Sequence, residues 1–122
     1  MNNIKISILT PTYNRANLLP RLYESIAKNI RSNIKVEWLI MDDGSIDDTK
    51  TVVENFTKYD NFEIKYNYES NSGKMTALNK LTQIADGELI IECDSDDYFE
   101  DEAFKIITEE YDKIKDEKDM GL

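Results

Sequence analysis

Four apolar runs of strand length alternate with four amphipathic stretches of helix length along this chain of 122 residues. The strand candidates are residues 4–9, 35–41, 62–68 and 88–93. This alternation is typical of βαβ units on a mainly parallel sheet, an α/β fold, because each parallel crossover needs a helix-length connection. The third run alternates strictly between apolar and polar residues, so we expect it at an edge or with one wet face. The other three are more continuously apolar, as central parallel strands are.

Apolar residues recur at helical spacing between these strands. The four stripes predicted to face the core are Leu19, Leu22, Ile26 and Ile30; Val52, Val53, Phe56 and Tyr59; Met75, Leu78, Leu81 and Ile84; and Phe104, Ile107, Tyr111 and Ile114. A chain of this length is large enough for one core and too short for two. It has no apolar run of membrane-spanning length and no signal-peptide core. We therefore expect one domain over residues 1–122, in the cytoplasm or at the inner face of the membrane.

Missing residue types exclude several kinds of chemistry. The chain has no histidine and a single cysteine, which excludes internal disulfides, the usual zinc sites, Ser-His-Asp triads and histidine general bases. Any metal ion must therefore be held by oxygen ligands. The net charge of −10 argues against nucleic-acid binding, because phosphate backbones bind to basic surfaces. This acidity is local, since residues 92–122 carry 13 acidic and 4 basic groups.

The fourth strand candidate ends in a cluster of carboxylates. In extended chain, side chains two residues apart share a face, so Asp94 and Asp96 are predicted to converge on one cation while Asp97 points elsewhere. The alternative is an acidic loop that only caps the next helix. An EF-hand loop is excluded, because counting from Asp94 puts Phe99 at the obligatory glycine and Lys105 at the final glutamate.

Polar loops follow all four strand candidates, at residues 11–14, 42–45, 71–74 and 94–97. Ligands of an open α/β sheet bind in the crevice beyond the carboxyl ends of its strands. We therefore expect these four loops to share one edge of the sheet and to line one crevice.

The first two loops are suited to hold a nucleobase. Asp42 and Asp43 lie just beyond the second strand, and Gly44 permits a tight turn after them. A carboxylate there can accept a hydrogen bond from a ring N–H, and Tyr13, following Pro11, offers an aromatic face beside it. Ordinary loop packing is the alternative role for Tyr13.

Nearby charged residues give weaker signals. Lys74 lies at the predicted start of the third helix, where free N–H groups and a cation can approach phosphate oxygens, although the loop is not a Walker loop. An ordinary surface position is the alternative for Lys74. Arg15, after the first strand, is placed to touch phosphate or to pair with the acidic loops. Asp47 and Asp48 are both predicted to cap the second helix, ahead of Thr49.

In these motifs the chain resembles the N-terminal, nucleotide-sugar-binding half of family 2 glycosyltransferases, which have the GT-A fold. The resemblance spans nearly the whole chain. It rests on the segments SILTPTYNR at 7–15, LIMDDGSIDDT at 39–49, NSGKMTALN at 71–79 and DSDD at 94–97. It implies a Rossmann-like half of that fold, with a mainly parallel sheet of about four strands in the order 3-2-1-4 and helices on both faces.

The resemblance also implies roles for individual residues. It implies a transferase that takes a sugar from a UDP-sugar or a similarly activated donor, with Mn²⁺ or Mg²⁺ on the diphosphate. Asp94 and Asp96 would form the DxD element, in which the first carboxylate commonly reaches ribose or sugar and the later one the metal. Asp42 and Asp97 receive no settled role. The residues expected at the nucleotide are Pro11, Thr12, Tyr13, Arg15, Asp43, Lys74 and Asp94, with the carboxylate of Asp43 accepting from the base.

No catalytic base is expected within residues 1–122. A metal ion on the diphosphate assists only the departing group, whereas an inverting displacement also needs a base at the acceptor hydroxyl. The family carries that base and the acceptor pocket in a C-terminal half. We therefore expect a truncated domain that binds donor but lacks efficient transfer. Glu100 and Asp101 are expected in the first turn of a helix rather than as substitute bases.

Two other classes of function are compatible with parts of the pattern. A related nucleotidyltransferase would need a phosphate loop rich in glycine and lysine near the first strand, and that loop is missing. A noncatalytic metal-binding or nucleotide-binding module is the other alternative, although the order of the acidic residues does not match a receiver domain. For the glycosyltransferase we expect a nucleotide-sugar donor, a saccharide or lipid-linked acceptor and a role in cell-envelope polysaccharide synthesis.

Overall fold

A four-stranded sheet forms the centre of the fold. In the computed structural model, which describes residues 3–58 and 62–119, the strands are β1 (Ile4–Thr12), β2 (Ile34–Asp42), β3 (Glu63–Tyr68) and β4 (Leu89–Glu92). They alternate with the helices α1 (Leu19–Lys28), α2 (Thr49–Phe56), α3 (Lys74–Ile84) and α4 (Ala103–Asp119). All pairings are parallel and the strand order is β3-β2-β1-β4. The predicted fold class and strand order are confirmed.

Alternating side chains explain why helices cover both faces of the sheet. Ile6, Ile8 and Trp38 pack on one face, against residues of α1, α2 and α4. Leu9 and Leu39 point to the other face, which α3 covers. Among the described residues, the helices are too short or too polar to cross a membrane.

The predicted helical stripes are confirmed at their centres and wrong at several ends. The stripe residues that are buried are Leu19, Leu22, Ile26, Val53, Phe56, Leu78, Leu81 and Phe104. Met75, Ile84 and Ile114 are instead 68%, 44% and 58% exposed. Met75 and Ile84 lie near opposite ends of α3, beyond the residues that meet the sheet. Tyr59 lies outside the described residues.

The two outer strands differ in how well the sequence predicts them. β3 lies at an edge, as its strict alternation indicates. The expectation that β4 is a central strand is wrong for the described part of the chain, where β4 is the outer strand beside β1. It pairs with β1, and the apolar side chain of Ile90 is 48% exposed on a face of the sheet.

β1 continues three residues beyond its predicted end and includes Pro11. The carbonyl of Leu9 accepts the N–H of Cys93 on the β4 side, whereas the carbonyl of Thr12 accepts the N–H of Asp43 on the β2 side. Backbone groups alternate in direction along a strand, so the nitrogen of Pro11 faces the β4 side, where β4 has already ended. Proline therefore interrupts no ladder hydrogen bond, and β1 and β4 separate beyond this point.

A buried carboxylate joins β1, β2 and the turn before β4. The Glu37 Oε2 atom accepts hydrogen bonds from the Ser7 hydroxyl at 2.5 Å and from the Asp86 N–H at 2.7 Å. The Ser7 hydroxyl in turn accepts the N–H of Gly87 at 2.7 Å. A Cβ at Gly87 would lie 2.6 Å from the Ser7 nitrogen, so only glycine fits there. This network fixes the point at which β4 begins.

The charge of Glu37 is set by opposing effects. Burial raises the pKa of Glu37, but its hydrogen bonds and two ammonium groups outweigh burial and hold the pKa below the ordinary value of 4.5. The Nζ atoms of Lys5 and Lys65 lie 3.7 and 3.8 Å from Oε1, which accepts no hydrogen bond from the described residues. Glu37 is therefore ionised in the folded protein at neutral pH.

We expect Glu37→Gln to lower the free energy of unfolding by about 2 kcal/mol near pH 7, because donors and cations surround this buried charge. Folding lowers the pKa of Glu37 below its ordinary value of 4.5. Its contribution to the free energy of unfolding is therefore present above pH 4.5, and it is lost as the pH falls through the pKa of the folded state. Urea denaturation from about pH 7 to about pH 3.5 should show the difference between wild type and variant shrinking.

Glu63→Gln is the matched control, because Glu63 is half-exposed and pairs with Lys65, one of the two cations near Glu37, but forms no hydrogen bond with Glu37, Ser7 or Asp86 among the described residues. We expect its effect on the unfolding free energy to be within about 0.5 kcal/mol. A Glu37→Gln difference that stays constant over the whole pH range would contradict an ionised Glu37.

Candidate functional site

A cavity of about 280 Å³ lies at the carboxyl ends of the strands. It lies where β1 has β2 on one side and β4 on the other, which is the switch point at which open α/β sheets bind ligands. Its lining residues are Pro11, Thr12, Tyr13, Arg15, Asp43, Lys74, Asp94, Ser95 and Asp96. All residues predicted to bind the nucleotide or a metal thus meet in one cavity. Their roles stay predictions, and Ser95 is an addition.

Hydrogen bonds hold the loops after β1 and β2 together. The N–H of Asn14 donates to the Ser45 hydroxyl at 2.8 Å, and the Asn14 side-chain carbonyl accepts the N–H of Ile46 at 2.9 Å. Asn14 has a φ of 51°, a left-handed conformation that asparagine tolerates better than most residues. One wall of the cavity is therefore built by two loops that support each other.

Asp42 points away from the cavity. It is buried, and its carboxylate accepts hydrogen bonds from the Ser45 N–H and from the hydroxyl of Tyr66 on β3. Burial raises the pKa of Tyr66, and the hydrogen bond to Asp42 raises it further, so Tyr66 stays protonated. Asp42 has a structural role in this arrangement and does not line the cavity.

Asp43 lines the cavity and also organises the loop before α3. Its Oδ1 accepts the N–H of Ser72 at 2.7 Å and its Oδ2 accepts the N–H of Gly73 at 3.0 Å. Gly73 has a φ of 94°, which favours glycine at this point. Each carboxylate oxygen retains a further lone pair, so Asp43 can still accept from a ligand.

The acidic residues form a turn rather than an extended segment. The N–H of Asp97 donates to the carbonyl of Asp94 at 3.0 Å, and carboxylate oxygens of Asp94, Asp96 and Asp97 lie within 4.8 Å of one another. The expectation that Asp97 points elsewhere is wrong, because the turn brings its carboxylate back. Three clustered carboxylates are the ligand set that Mg²⁺ or Mn²⁺ accepts, so this turn fits a divalent cation.

Arg21 on α1 holds this turn, although it is not among the predicted site residues. Its Nη2 donates to the carbonyl of Asp96 at 2.6 Å, and its guanidinium carbon lies 4.6 Å from the centre of the Tyr98 ring. The contact joins residues 75 positions apart in the chain, which no local pattern indicates.

The basic residues of the cavity differ in their partners. Lys74 Nζ lies 2.8 Å from Asp94 Oδ1, and this hydrogen bond raises the pKa of Lys74, as do nearby acidic groups. Arg15 is exposed, and its side chain makes no hydrogen bond or ion pair with the described residues. Arg15 therefore stays free for a ligand, whereas Lys74 already contacts the acidic turn.

Two buried polar side chains lie at the ends of β1 and β4, those of Thr12 and Cys93. Thr12 Oγ1 is buried and has no hydrogen-bond partner among the described residues, although buried hydroxyls normally have one. Cys93 is buried, and burial followed by the neighbouring aspartates raises its pKa to about 12. A thiol with so high a pKa stays protonated near neutral pH, which makes it a weak nucleophile.

The capping prediction for α2 is confirmed for Asp47. Its carboxylate accepts the N–H of Thr49 at 3.1 Å and also the N–H of Ala16 at 3.2 Å. Desolvation raises the pKa of Asp47, but the hydrogen bond from the Thr49 hydroxyl and the two from backbone N–H groups outweigh it and lower the pKa overall. The capping prediction is wrong for Asp48, which occupies the N-cap position without a side-chain hydrogen bond to the helix.

Comparison with known proteins identifies the family. The model described as Glycosyl transferase family 2 matches residues 7–117. The chain belongs to glycosyltransferase family 2. This match favours the glycosyltransferase interpretation over the nucleotidyltransferase and receiver-like alternatives.

Named relatives agree with the family. An uncharacterized glycosyltransferase of Mycoplasma genitalium is 35% identical over 106 residues, which cover 84% of this chain and 36% of that protein. TarS of Staphylococcus aureus, a poly(ribitol-phosphate) β-N-acetylglucosaminyltransferase, is 30% identical over 102 residues, which cover 84% of this chain and 18% of that protein. The chain therefore spans about a third of the length of the Mycoplasma relative.

Solved structures share the fold. The structure of S. aureus TarS 1-349 in complex with UDP-GlcNAc matches with a TM-score of 0.82 and 31% identity, covering 90% of this chain and 32% of that one. A mannosyltransferase of Pyrobaculum calidifontis in complex with GDP-Man and Mn²⁺ matches with a TM-score of 0.71 at 24% identity, covering 81% of this chain and 29% of that one. The predicted GT-A fold is thereby confirmed.

We expect Asp43→Asn to release the loop before α3, because an amide keeps only one accepting oxygen for the two N–H groups of Ser72 and Gly73. Amide hydrogen exchange at these two positions should accelerate about tenfold relative to wild type.

Asp47→Asn is the matched control, because Asp47 also accepts backbone N–H groups but touches a different loop. It should leave exchange at Ser72 and Gly73 unchanged. Unchanged exchange in a folded Asp43→Asn variant would show that Asp43 does not hold the loop.

Proposed function

We propose that this chain is the donor-binding domain of a metal-dependent, inverting glycosyltransferase that uses a nucleotide diphosphate sugar, in particular a UDP-sugar. The observation that carries the proposal is that one cavity at the switch point is lined by Asp43, by the aromatic residue Tyr13 and by residues 94–96 of the acidic turn. The complex of TarS with UDP-GlcNAc supports the choice of donor class.

The nucleoside end of the donor is assigned to the first two loops. Tyr13 lines the cavity with a half-exposed ring on which a base can lie. Asp43 keeps lone pairs that can accept a ring N–H. The hydroxyl of Thr12 is without a partner among the described residues and can donate to or accept from the nucleoside. These groups together provide an aromatic face and hydrogen-bonding groups for a nucleobase.

The diphosphate end is assigned to the acidic turn and the two cations. Asp94 and Asp96 would hold Mn²⁺ or Mg²⁺, with Asp97 close enough to contribute. The ion supplies charge neutralisation for the diphosphate as it departs from the anomeric carbon. Lys74 and Arg15 line the same cavity and place positive charge beside the phosphates.

The reaction is assigned only in part to this chain. Inversion requires a base that removes the acceptor proton while the sugar bond to the diphosphate breaks. Glu100 and Asp101 line a different cavity, against α1, and precede α4, so the expectation that they lie in its first turn is wrong. We propose that the base and the acceptor pocket lie beyond residue 122, and that residues 1–122 bind donor but transfer sugar poorly.

The acceptor and the cellular setting follow from the relatives alone. The name of TarS describes sugar transfer to poly(ribitol-phosphate). We propose a saccharide or lipid-linked acceptor in cell-envelope polysaccharide synthesis for the whole protein. A cytoplasmic location, or one at the inner face of the membrane, stays a prediction.

Calorimetric titration of UDP tests the donor site. Wild type should bind UDP with Mn²⁺ and bind at least about tenfold more weakly in EDTA, because an ion held by Asp94 and Asp96 would offset the negative charge of the diphosphate. Asp96→Ala should lose the metal dependence. Asp43→Ala should weaken binding about tenfold with and without metal, because it acts on the base and the loop.

Asp112→Ala on α4 is the control, because it removes one aspartate that lies outside the cavity lining. It should bind like wild type. A folded wild-type protein that binds no UDP in the presence of Mn²⁺ would refute a self-sufficient donor site on residues 1–122.

A further inference from the structure

A lysine side chain already neutralises part of the acidic turn. Lys74 is the first residue of α3, and its ammonium lies 2.8 Å from Asp94 Oδ1. Both side chains are about half-exposed, at 58% and 46%. The ammonium therefore occupies one of the carboxylates that a divalent ion would use.

The position of Lys74 is fixed by the opposite end of the cavity. Ser72 and Gly73, the two residues before Lys74, donate their N–H groups to Asp43. Asp43 is also the carboxylate assigned to the base. The start of α3 is thus held in place by one end of the cavity while its first side chain contacts the other.

The turn holds more negative charge than its protein partners balance. Carboxylate oxygens of Asp94, Asp96 and Asp97 lie within 4.8 Å of one another. Arg21 donates a hydrogen bond to the backbone carbonyl of Asp96, and its guanidinium lies over the Tyr98 ring. This hydrogen bond therefore pairs with no carboxylate of the turn. Among the described residues, Lys74 makes the one ion pair with these three carboxylates.

A free divalent ion and this ammonium compete. Two cations at one carboxylate repel each other, and the repulsion is not screened at separations well below the Debye length. A metal ion that arrives with a diphosphate brings its own negative oxygens, which can accept the displaced ammonium. Lysine suits such an exchange, because its charge sits on a flexible stem with rotatable donors.

We propose that Lys74 couples metal binding to nucleotide binding: its ammonium opposes a free divalent cation at Asp94 and moves to the diphosphate when metal and nucleotide bind together. The inference rests on the proposed function and assigns Lys74 as a residue that makes the site specific for the metal–nucleotide complex over the metal alone. Coupling is reciprocal, so the nucleotide raises metal affinity by the same factor by which the metal raises nucleotide affinity.

Lys74→Met tests this proposal, because methionine keeps much of the stem and removes the charge. Mn²⁺ binding without nucleotide, followed by the paramagnetic signal of the free ion, should tighten by about threefold to tenfold. UDP binding in the presence of Mn²⁺, followed by calorimetry, should weaken about tenfold. Lys74→Arg should behave like wild type in both titrations, because arginine keeps the positive charge at this position.

Lys80→Met is the matched control. Lys80 lies on the same helix and pairs with Glu69, which does not line the cavity. This variant should match wild type in both titrations.

The outcomes separate the two proposals. If wild type binds UDP with Mn²⁺ but Lys74→Met leaves Mn²⁺ affinity unchanged or lower, the coupling role of Lys74 is wrong and the donor site stands. Tighter Mn²⁺ binding with unchanged UDP binding would likewise overturn the coupling, because the ammonium would not reach the diphosphate. A folded wild type that binds no UDP with Mn²⁺ overturns the donor site and the coupling with it.

Discussion

The separation of β1 from β4 beyond Leu9 is the constraint on which the site depends. Up to that residue the two strands share a ladder, and beyond it Pro11 offers no N–H through which pairing could continue. A crevice opens there, and residues from four loops converge on it. The Glu37 network acts from the other end, because it fixes the start of a strand only four residues long. A slip of β4 by one residue would turn each of its side chains to the opposite face.

Two adjacent aspartates show how one strand end serves both structure and site. Asp42 points inward, where the Tyr66 hydroxyl and a backbone N–H satisfy it. Asp43 lines the cavity, where it accepts two backbone N–H groups and keeps further lone pairs. Asp42 is the last residue of β2 and Asp43 is the first residue beyond it, so the two side chains leave the end of the strand in different directions. The first aspartate stabilises the sheet edge, and the second organises the approach to α3.

Local periodicity predicts the α/β class, all four strands and the placement of their loops, because these follow from side-chain alternation and strand-end geometry. It does not predict side-chain direction within an irregular loop, so the sequence interpretation of Asp97 as pointing elsewhere rested on an extended chain that is in fact a turn. It also cannot anticipate contacts between distant segments. Arg21 reaches across 75 positions, and Glu37 is a buried charge in a strand that reads as apolar. Helical periodicity predicts that Met75 faces the core, but Met75 is exposed, because the spacing of apolar residues does not show where the sheet beneath the helix ends.

The hydrogen bonds between the first two loops bear on the order in which a donor is recognised. Asn14, Ser45 and Ile46 join these loops, so their backbone is held in place by the protein itself. The acidic turn is instead held by Arg21 and Lys74, whose contacts are exposed and whose side chains are long. For a donor bound as proposed, the nucleoside would meet a preformed surface and the diphosphate an adaptable one. Discrimination between nucleobases would then arise at first encounter, before the sugar is positioned.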